Sequence, residues 1–296
     1  MRFKHRFANV GSESTVKKSK KIRKILDKYL ITYEYKEEDT VLGLDWSLVF
    51  YLYEDMDSYA KIIEEIIPFN LIEITTTEFD KNEIDNAEWY EIFAPPCQYP
   101  QPEDGYEELV FNTNDRCPIC GFGKMQINPY QLKKRPKQKG NQFWGIFWEQ
   151  DALFCSSEIK NLLERESIKG IHFIQPVLKG NIPIEGYYQI IIETTLEKGF
   201  NPKNTTERIC RYKKDNWRPD GLDTKNLKYC GKMQYDYPRK GGYTFSRKIF
   251  YDNIDFCRSK EYFENGERVN MISKKVYETI VKNKLKGLII EPIFYI

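Results

Sequence analysis

Apolar and polar positions alternate along the first hundred residues with two different periods. Apolar side chains at helical spacing predict helices at residues 15–30 and 56–67. Runs that are rich in β-branched and aromatic residues predict strands at residues 31–36, 46–53 and 71–77. Residues 1–14 show neither period and are predicted to be irregular. The order helix, strand, strand, helix, strand predicts a small α+β layer with its helices on one face.

A further helix and a Pro-rich stretch follow this layer. Asp80 and Glu83 have the spacing of a capping box, in which each side chain accepts a hydrogen bond from the other residue's backbone N–H. The prolines beyond residue 94 are typical of a linker. We therefore divide the chain into an N-terminal acidic α+β domain (1–94), a linker (95–116) and a second domain (117–296).

The second domain contains one helix-turn-strand pattern twice, at residues 156–177 and 273–294. Each copy opens with a serine that can cap a helix and continues with apolar residues at helical spacing. A Lys-Gly turn, with Gly170 or Gly287, then leads into an apolar strand that ends at a proline. None of the shared residues is reactive, so the pattern predicts structure and not chemistry.

Cysteines near the start of the second domain have metal-ligand spacing. Cys117 and Cys120 form a C-x-x-C-G turn, here called the knuckle, in which two thiolates converge as they do in zinc sites. A similar sequence around Cys230 has Leu227 in place of its first cysteine, so Cys210 would be the fourth ligand if its loop folds back. A four-cysteine zinc site, a knuckle that has lost its metal, and a redox-active pair are the three interpretations.

The knuckle and the helix-turn-strand pattern together define two predicted repeat units. They cover residues 117–180 and 227–296, and they predict a mixed α/β domain of two knuckle–strand–helix–strand units. Cys155 and Cys257, each after a phenylalanine, are expected to be equivalent buried positions and not nucleophiles.

Composition argues for a globular protein that does not contact a membrane. Mean hydropathy is −0.64, and no apolar run reaches the roughly 18 residues needed to span a bilayer. The N-terminus lacks the apolar core of a signal peptide. We therefore expect a cytoplasmic location, where the 7 cysteines would be mostly reduced.

Charge divides the chain more sharply than the net value of +2 suggests. Through Arg116 there are 14 Lys and Arg against 24 Asp and Glu, and the remainder has 32 against 20. An acidic first part could meet a basic partner. The candidate partner-binding residues are Glu78, Asp80, Glu83, Asp85, Glu88, Glu91, Glu103 and Asp104.

Catalytic candidates are scarce. The chain has 2 histidines, His5 in the predicted irregular N-terminus and His172, which stands where the second copy has Ile289. A structural position in the core or at a sheet edge is the expectation for His172. The sequence contains no nucleophile elbow, phosphate-binding Walker loop or H-E-x-x-H motif. We therefore expect that the protein is not an enzyme.

A second function remains open from the residues. Lys133, Lys134 and Arg135 lie beside the knuckle, and Trp144 and Trp148 follow. A zinc-ribbon-like element of this composition could contact phosphates and stack on bases. The near-neutral net charge makes nucleic acid the less favoured partner.

The C-x-x-C-G turn, the second Cys-Gly pair and the repeated helix-turn-strand pattern resemble the double-CXXCG motif family, bacterial immunity proteins of polymorphic toxin systems. The resemblance covers about residues 105–296. It implies a non-catalytic protein that binds a cognate toxin and blocks it. Leu227 departs from the family's pattern at a cysteine, which concerns the metal site and not the repeat.

Overall fold

The computed structural model describes residues 1–11, 16–37, 46–117, 119–137, 140–210, 230–238 and 240–296. Over these residues the chain has six α-helices and several small sheets, which confirms the predicted α+β class. It forms two compact units. Unit 1 is Met1–Asp85 with Pro238–Gly242, and unit 2 is Asn86–Tyr237 with Tyr243–Ile296. Within the described ranges, no helix is long and apolar enough to cross a membrane.

Unit 1 is built on one four-stranded antiparallel sheet. Its elements are β1 (Arg2–Gly11), α1 (Val16–Lys28), β2 (Tyr33–Glu37), β3 (Trp46–Tyr53), α2 (Tyr59–Ile66), β4 (Ile72–Glu78) and, at its end, α3 (Lys81–Asn86). The strand order is β2-β3-β1-β4. With a helix after β1 and another after β3, this is the split βαβ arrangement.

The core of unit 1 lies between this sheet and its two longer helices, because α1 and α2 each bury one apolar stripe. Its buried side chains are Phe7, Ile22, Leu26, Leu48, Phe50, Leu52, Ile62 and Ile66. The predicted helices and strands of this layer are confirmed within a few residues. The predicted capping box is also present: the Asp80 and Glu83 side chains each accept from the other's backbone N–H at 2.9 Å.

The irregular N-terminus predicted for residues 1–14 is wrong over residues 2–11, which form β1, and residues 12–14 lie outside the described residues. Strand β1 lies inside the sheet and pairs with both β3 and β4. Its alternation is hard to recognise because the inward-facing side chains include His5 and Asn9, which are buried although they are polar. The outward positions Lys4 and Arg6 are polar as well, so neither face is uniformly apolar.

Over its described residues, unit 2 contains many short strands and three α-helices. The strands are β5 (Trp89–Phe93), β6 (Pro96–Gln98), β7 (Phe111–Asn112), β8 (Met125–Gln126), β9 (Gln131–Leu132), β10 (Phe143–Ile146), β11 (Glu149–Ser156), β12 (Ile171–Ile174), β13 (Val177–Leu178), β14 (Ile182–Pro183), β15 (Tyr187–Ile192), β16 (Glu207–Ile209), β17 (Met233–Tyr235), β18 (Thr244–Phe245), β19 (Phe256–Arg258), β20 (Asn270–Ser273), β21 (Ile289–Pro292) and β22 (Phe294–Tyr295). The helices are α4 (Tyr106–Val110), α5 (Ser157–Arg165) and α6 (Lys274–Lys282).

Two sheets of unit 2 have the same arrangement. One has the order β12-β15-β11-β10-β6, and the other has the order β21-β5-β20-β19. Helix α5 leads from β11 to β12, and helix α6 leads from β20 to β21. The central strands β15 and β5 therefore occupy corresponding places. Strand β5 comes from the region that the sequence assigned to the first domain, so the units divide after Asp85 and not at residue 94.

Each helix-turn-strand copy contacts a strand of the other copy's sheet. The Lys169 carbonyl accepts from the Phe256 N–H at 3.0 Å, and the Lys286 carbonyl accepts from the Phe143 N–H at 3.1 Å. The following glycines have φ of +90° at Gly170 and +102° at Gly287. A Cβ at either glycine would lie well under 3.0 Å from the same phenylalanine's carbonyl oxygen. Both turns therefore require glycine for conformation and for close approach.

Cys155 and Cys257 are both fully buried, as expected, and burial raises the pKa of each thiol. Their predicted equivalence is wrong. Cys155 lies in β11, directly before α5, whereas Cys257 lies in β19, one strand earlier than the strand that leads into α6. The segment between β19 and β20 separates Phe256-Cys257 from the helix, so the similar local sequences occupy different strands.

Candidate metal centre

Four cysteine side chains from three separate segments of unit 2 meet. The sulfur atoms of Cys117, Cys120, Cys210 and Cys230 all lie within 4.8 Å of one another. Cys117 Sγ is 3.7 Å from Cys210 Sγ, and Cys120 Sγ is 3.6 Å from Cys230 Sγ. A tetrahedral zinc site with Zn–S bonds of about 2.3 Å places neighbouring sulfurs about 3.8 Å apart. The cluster therefore has the dimensions that a zinc ion needs.

Backbone N–H groups of the knuckle point at both of its sulfurs, those of Cys117 and Cys120. The Cys117 N–H donates to the Phe122 carbonyl at 2.8 Å, and the Gly121 N–H donates to the Cys117 carbonyl at 3.0 Å. The N–H groups of Ile119 and Cys120 point at the Cys117 sulfur, and that of Phe122 points at the Cys120 sulfur. These hydrogen bonds favour thiolates, which are the form that binds metal.

A β-hairpin brings the other two cysteines together. Cys210 follows β16 and Cys230 precedes β17, and these strands pair antiparallel with Ile209 opposite Met233. The Cys210 N–H donates to the Lys232 carbonyl at 3.0 Å. Two residues distant in sequence thus reach the same end of one hairpin, as a second knuckle would have placed them. Leu227 and the rest of residues 211–229 lie outside the described residues.

The knuckle rests on the hairpin and on a neighbouring turn. The Gln234 side-chain amide donates to the Cys120 carbonyl at 2.8 Å. The Phe122 and Tyr262 ring centroids are 4.2 Å apart. Gly266, at φ +73°, lies so close that a Cβ there would be under 3.0 Å from the Cys120 carbonyl oxygen. These contacts fix the position of the knuckle beside the hairpin that carries Cys210 and Cys230.

Burial and backbone donors act in opposite directions on the thiols. Burial tends to raise the pKa of Cys117, but the N–H groups of Cys120 and Ile119 outweigh it and lower that pKa to about 7. Burial raises the pKa of Cys210 to about 11 and also raises the pKa of Cys120. Cys117 is therefore the sulfur of these three that ionises most readily. A bound cation would favour the thiolate form of the others too.

The presence of four thiols determines which kind of metal or redox site the cluster can form. Zinc with four cysteine ligands has no open coordination position, and such closed sites stabilise structure, whereas catalytic zinc keeps a position for water. A redox-active pair needs two thiols and gives no reason for Cys210 and Cys230 to join them. The arrangement therefore favours a structural metal site over the redox interpretation.

A buried ionic network lies beside the knuckle, and the sequence did not indicate it. The Lys124 ammonium lies 2.5 Å from the Glu149 carboxylate and 3.9 Å from that of Asp151. The Tyr106 hydroxyl donates to Glu149 at 2.6 Å. Lys124 and Glu149 are 8% and 3% exposed, so each charge depends on its partner. The sequence Lys-Met-Gln follows both Cys-Gly pairs, and this repetition could have identified Lys124 as a residue of interest.

The predicted partner-binding acids belong to both units. Unit 1 contains Glu78, Asp80, Glu83 and Asp85, and unit 2 contains Glu88, Glu91, Glu103 and Asp104. Several are already paired: Glu78 lies 3.1 Å from Lys4, and Glu88 lies 2.7 Å from Arg247. Glu91 is half-buried in β5, opposite Glu291. Internal pairing reduces the charge that this set offers, and its role in binding stays a prediction.

His5 occupies a different place from the one expected, whereas His172 does not. His5 is buried in β1, with Nε2 2.8 Å from Glu54 and Nδ1 2.6 Å from Glu73. Both ring nitrogens are therefore within hydrogen-bond distance of a carboxylate, and the Thr75 hydroxyl lies 3.2 Å from Nδ1. His172 lies on β12, an edge strand of its sheet, which agrees with the expected edge position; it is 50% exposed and lies 2.9 Å from Glu193.

Of the residues proposed for nucleic-acid contact, one is buried and the others are exposed. Trp144 is buried and stacks on Phe154 with 4.2 Å between ring centroids, so it cannot stack on a base. Trp148 is 50% exposed. Lys133, Lys134 and Arg135 are exposed, as a phosphate-contacting run would be.

Comparison of the chain with protein-family models finds no match, and comparison with curated proteins finds none either.

Proposed function

We propose that this chain is a non-catalytic immunity protein of bacteria, which binds a cognate toxin protein in the cytoplasm and neutralises it. In this proposal zinc held by Cys117, Cys120, Cys230 and Cys210 stabilises unit 2. The observation that carries the proposal is the convergence of these cysteines. It supports a complete four-cysteine site, with Cys210 in place of the cysteine that Leu227 replaces.

The titratable groups of unit 2 agree with a non-catalytic role. Burial raises the pKa of Glu267 to about 7, and this carboxylate accepts from the Tyr237 hydroxyl and the Gln150 N–H. Glu149 is held by Lys124 and Tyr106. Both carboxylates are occupied by hydrogen bonds within the unit. Groups with such perturbed pKa values also occur in structural networks, and that is the role assigned here.

The decisive test is a titration of purified protein against the toxin encoded by the neighbouring gene. A stoichiometric inhibitor abolishes toxin activity at about one equivalent, and co-expression restores growth where an empty vector does not. Full protection at a small fraction of one equivalent would instead indicate an enzyme that destroys the toxin. Failure to inhibit at several equivalents of folded protein would contradict the immunity function altogether.

Charge reversal tests the proposed contact surface. Glu103 and Asp104 are both exposed, and the double variant E103K/D104K is expected to slow association with a basic toxin, most strongly at low salt. The matched control is E164K/E166K, because Glu164 and Glu166 are exposed acids at the end of α5. Equal association rates for the two double variants would exclude Glu103 and Asp104 from the contact.

A zinc-ribbon-like nucleic-acid-binding protein is the second candidate, and unit 1 offers an observation in its favour. The outer face of its sheet carries Tyr51 and Tyr53 on β3 beside Arg2 and Lys4 on β1. Aromatic and basic side chains on such a sheet can stack on single-stranded bases. Low-salt mobility shifts with K133E/K134E/R135E and with Y51A/Y53A test the two surfaces separately. The absence of any shift with the unaltered protein would end this alternative.

A further inference from the structure

A cleft of about 650 Å³ opens in unit 2. Its walls come from the segment after the knuckle, from β12 and β15, and from the region between β19 and β20. The volume lies within the range of roughly 300–1,000 Å³ that is typical of sites for small organic ligands. Apolar side chains on one wall include Ile174 and Ile191, which share a face of the β12–β15 pair, and Gln126 and Gln189 exchange two side-chain hydrogen bonds of 2.8 Å beside them.

Arg258 lines this cleft and forms no direct ion pair with a carboxylate of the described residues, although Asp151 lines the same cleft. One of its Nη atoms donates to the Ile192 carbonyl at 2.7 Å, and its Nε is buried without a hydrogen-bond partner. Among the described residues, no carboxylate lies within the ion-pair distance of 4.0 Å. Burial, and then the charge of Arg268, lower the pKa of Arg258. The guanidinium remains charged nonetheless.

Arg268 lines the same cleft and is also held by neutral groups. Its guanidinium donates to the Thr195 hydroxyl at 3.0 Å and to the Tyr262 hydroxyl, and it lies 4.5 Å from the centroid of the Tyr262 ring. No carboxylate from the described part of the chain is within ion-pair distance of it. Asp151 is the acid that lines the cleft, and it lies 3.9 Å from Lys124.

Several other arginines of the chain pair with carboxylates, unlike Arg258 and Arg268. Each of the following pairs with a carboxylate: Arg2 with Asp55, Arg116 with Glu107, Arg208 with Asp236 and Arg247 with Glu88. Two neighbouring guanidinium groups without such partners, in a partly enclosed place, repel each other and leave donors for an anion. An oxyanion between them would relieve that repulsion.

We propose that this cleft binds a small organic anion, whose carboxylate or phosphate group is held by Arg258 and Arg268. The apolar wall formed by Ile174 and Ile191 would contact the body of the ligand. Specificity would come from the side-chain amides of Gln126 and Gln189. This site goes beyond the immunity function and does not depend on it, because the test below uses no toxin.

The test is calorimetric titration of the full chain at constant ionic strength with three probes: inorganic phosphate, phenyl phosphate and benzoate. At least one should bind saturably with a Kd tighter than about 1 mM. R268Q should weaken that binding about tenfold or more, because it removes one charge-assisted fork. R268K keeps the charge and should fall between. R165Q is the matched control, since exposed Arg165 lies on α5 and does not line the cleft.

The probes also separate the possible sources of the anion. Binding of inorganic phosphate alone would assign a free phosphate, and tighter binding of phenyl phosphate or benzoate would assign an organic phosphate or carboxylate. A measurement on the unaltered protein guards against misfolding of R268Q: bound probe should slow phenylglyoxal modification of Arg268 but not of Arg165. Binding of no probe below about 1 mM, or unchanged affinity in R268Q, would overturn the site.

Discussion

Cys210 is the residue on which closure of the four-cysteine cluster depends. The knuckle cysteines are three residues apart, so their convergence follows from one tight turn. Cys210 and Cys230 have no such local relation and meet because β16 pairs with β17. The sequence could therefore name the four cysteines, but it could not show that the last two reach the same place.

Replacing Cys210 tests the metal site. C210S removes one of four thiolates, and we expect bound zinc to fall from one equivalent per chain to well below one half, measured by mass spectrometry of metals. If zinc is normally present at about 100 times its Kd, its loss costs about 2.7 kcal/mol of unfolding free energy.

The control for this substitution is C97S, because Cys97 is exposed and lies outside the cluster. It should keep zinc and stability at the level of the unaltered protein. Equal zinc content in C210S and C97S would show that Cys210 is not a ligand.

Glu91 predicts a pH dependence of stability. It faces Glu291 across the β5–β21 pair, and burial followed by the charge of Glu291 raises its pKa from 4.5 to about 8. The folded chain then keeps a proton that the unfolded chain releases near pH 4.5. Its stabilising effect is fully present below that pH and is lost as the pH rises towards 8.

E91Q keeps the side chain neutral at every pH. The unfolding free energy of E91Q minus that of the unaltered protein, both measured in urea, should increase by about 1–3 kcal/mol as the pH rises from roughly 5 to 9. The control is E278Q, because Glu278 is exposed on α6 and the substitution removes the same charge. A pH-independent difference between E91Q and the unaltered protein would contradict this explanation.

At the scale of elements, the helix-turn-strand copies were predictable because their signals are local. The apolar stripes of α5 and α6 and the glycines that end each turn all lie within about twenty residues. The expected capping by serine is only half right: Ser156 and Ser273 occupy the N-cap positions, but neither side chain makes a cap hydrogen bond. Ser273 instead donates to Asp255 at 3.0 Å, a contact set by tertiary structure.

Substituting the turn glycines tests the reciprocal contact between the copies. G170A and G287A should each lower the unfolding free energy in urea by about 2 kcal/mol more than G180A does. Gly180 also has a positive φ of +84°, but a Cβ there meets nothing within 4 Å. It therefore measures the conformational strain alone, about 1–3 kcal/mol. Equal losses at all three positions would mean that the carbonyl contacts at Phe256 and Phe143 are unimportant.

At the scale of the whole molecule, the sequence misplaced the division of the chain because one strand joins a distant sheet. Strand β5 looks like the end of the first domain, yet Trp89 and Ile92 are buried in unit 2. No local pattern reports that its partners are β20 and β21. The α+β class, by contrast, needed only the types of the elements and not their pairing.

Two fragments test this division. A chain that begins at residue 95 lacks β5 and leaves β20 and β21 without their central partner, so it should aggregate or unfold without cooperativity. A chain that begins at residue 86 keeps β5. It should bind zinc, as measured by metal analysis, and it should unfold cooperatively, as followed by circular dichroism. Zinc binding and cooperative unfolding of the fragment that begins at residue 95 would show that β5 is dispensable.

Strand β5 also sets an order of events during synthesis. Glu91 pairs with Met271 and Glu291, about 180 to 200 residues later in the chain. At about 5–20 residues per second, β5 leaves the ribosome roughly ten seconds or more before either partner. The sheet around β11 can form in that interval, whereas β5 still presents two unpaired edges. A ribosome that stalls before residue 270 would therefore leave a strand exposed to chaperones and to other nascent chains.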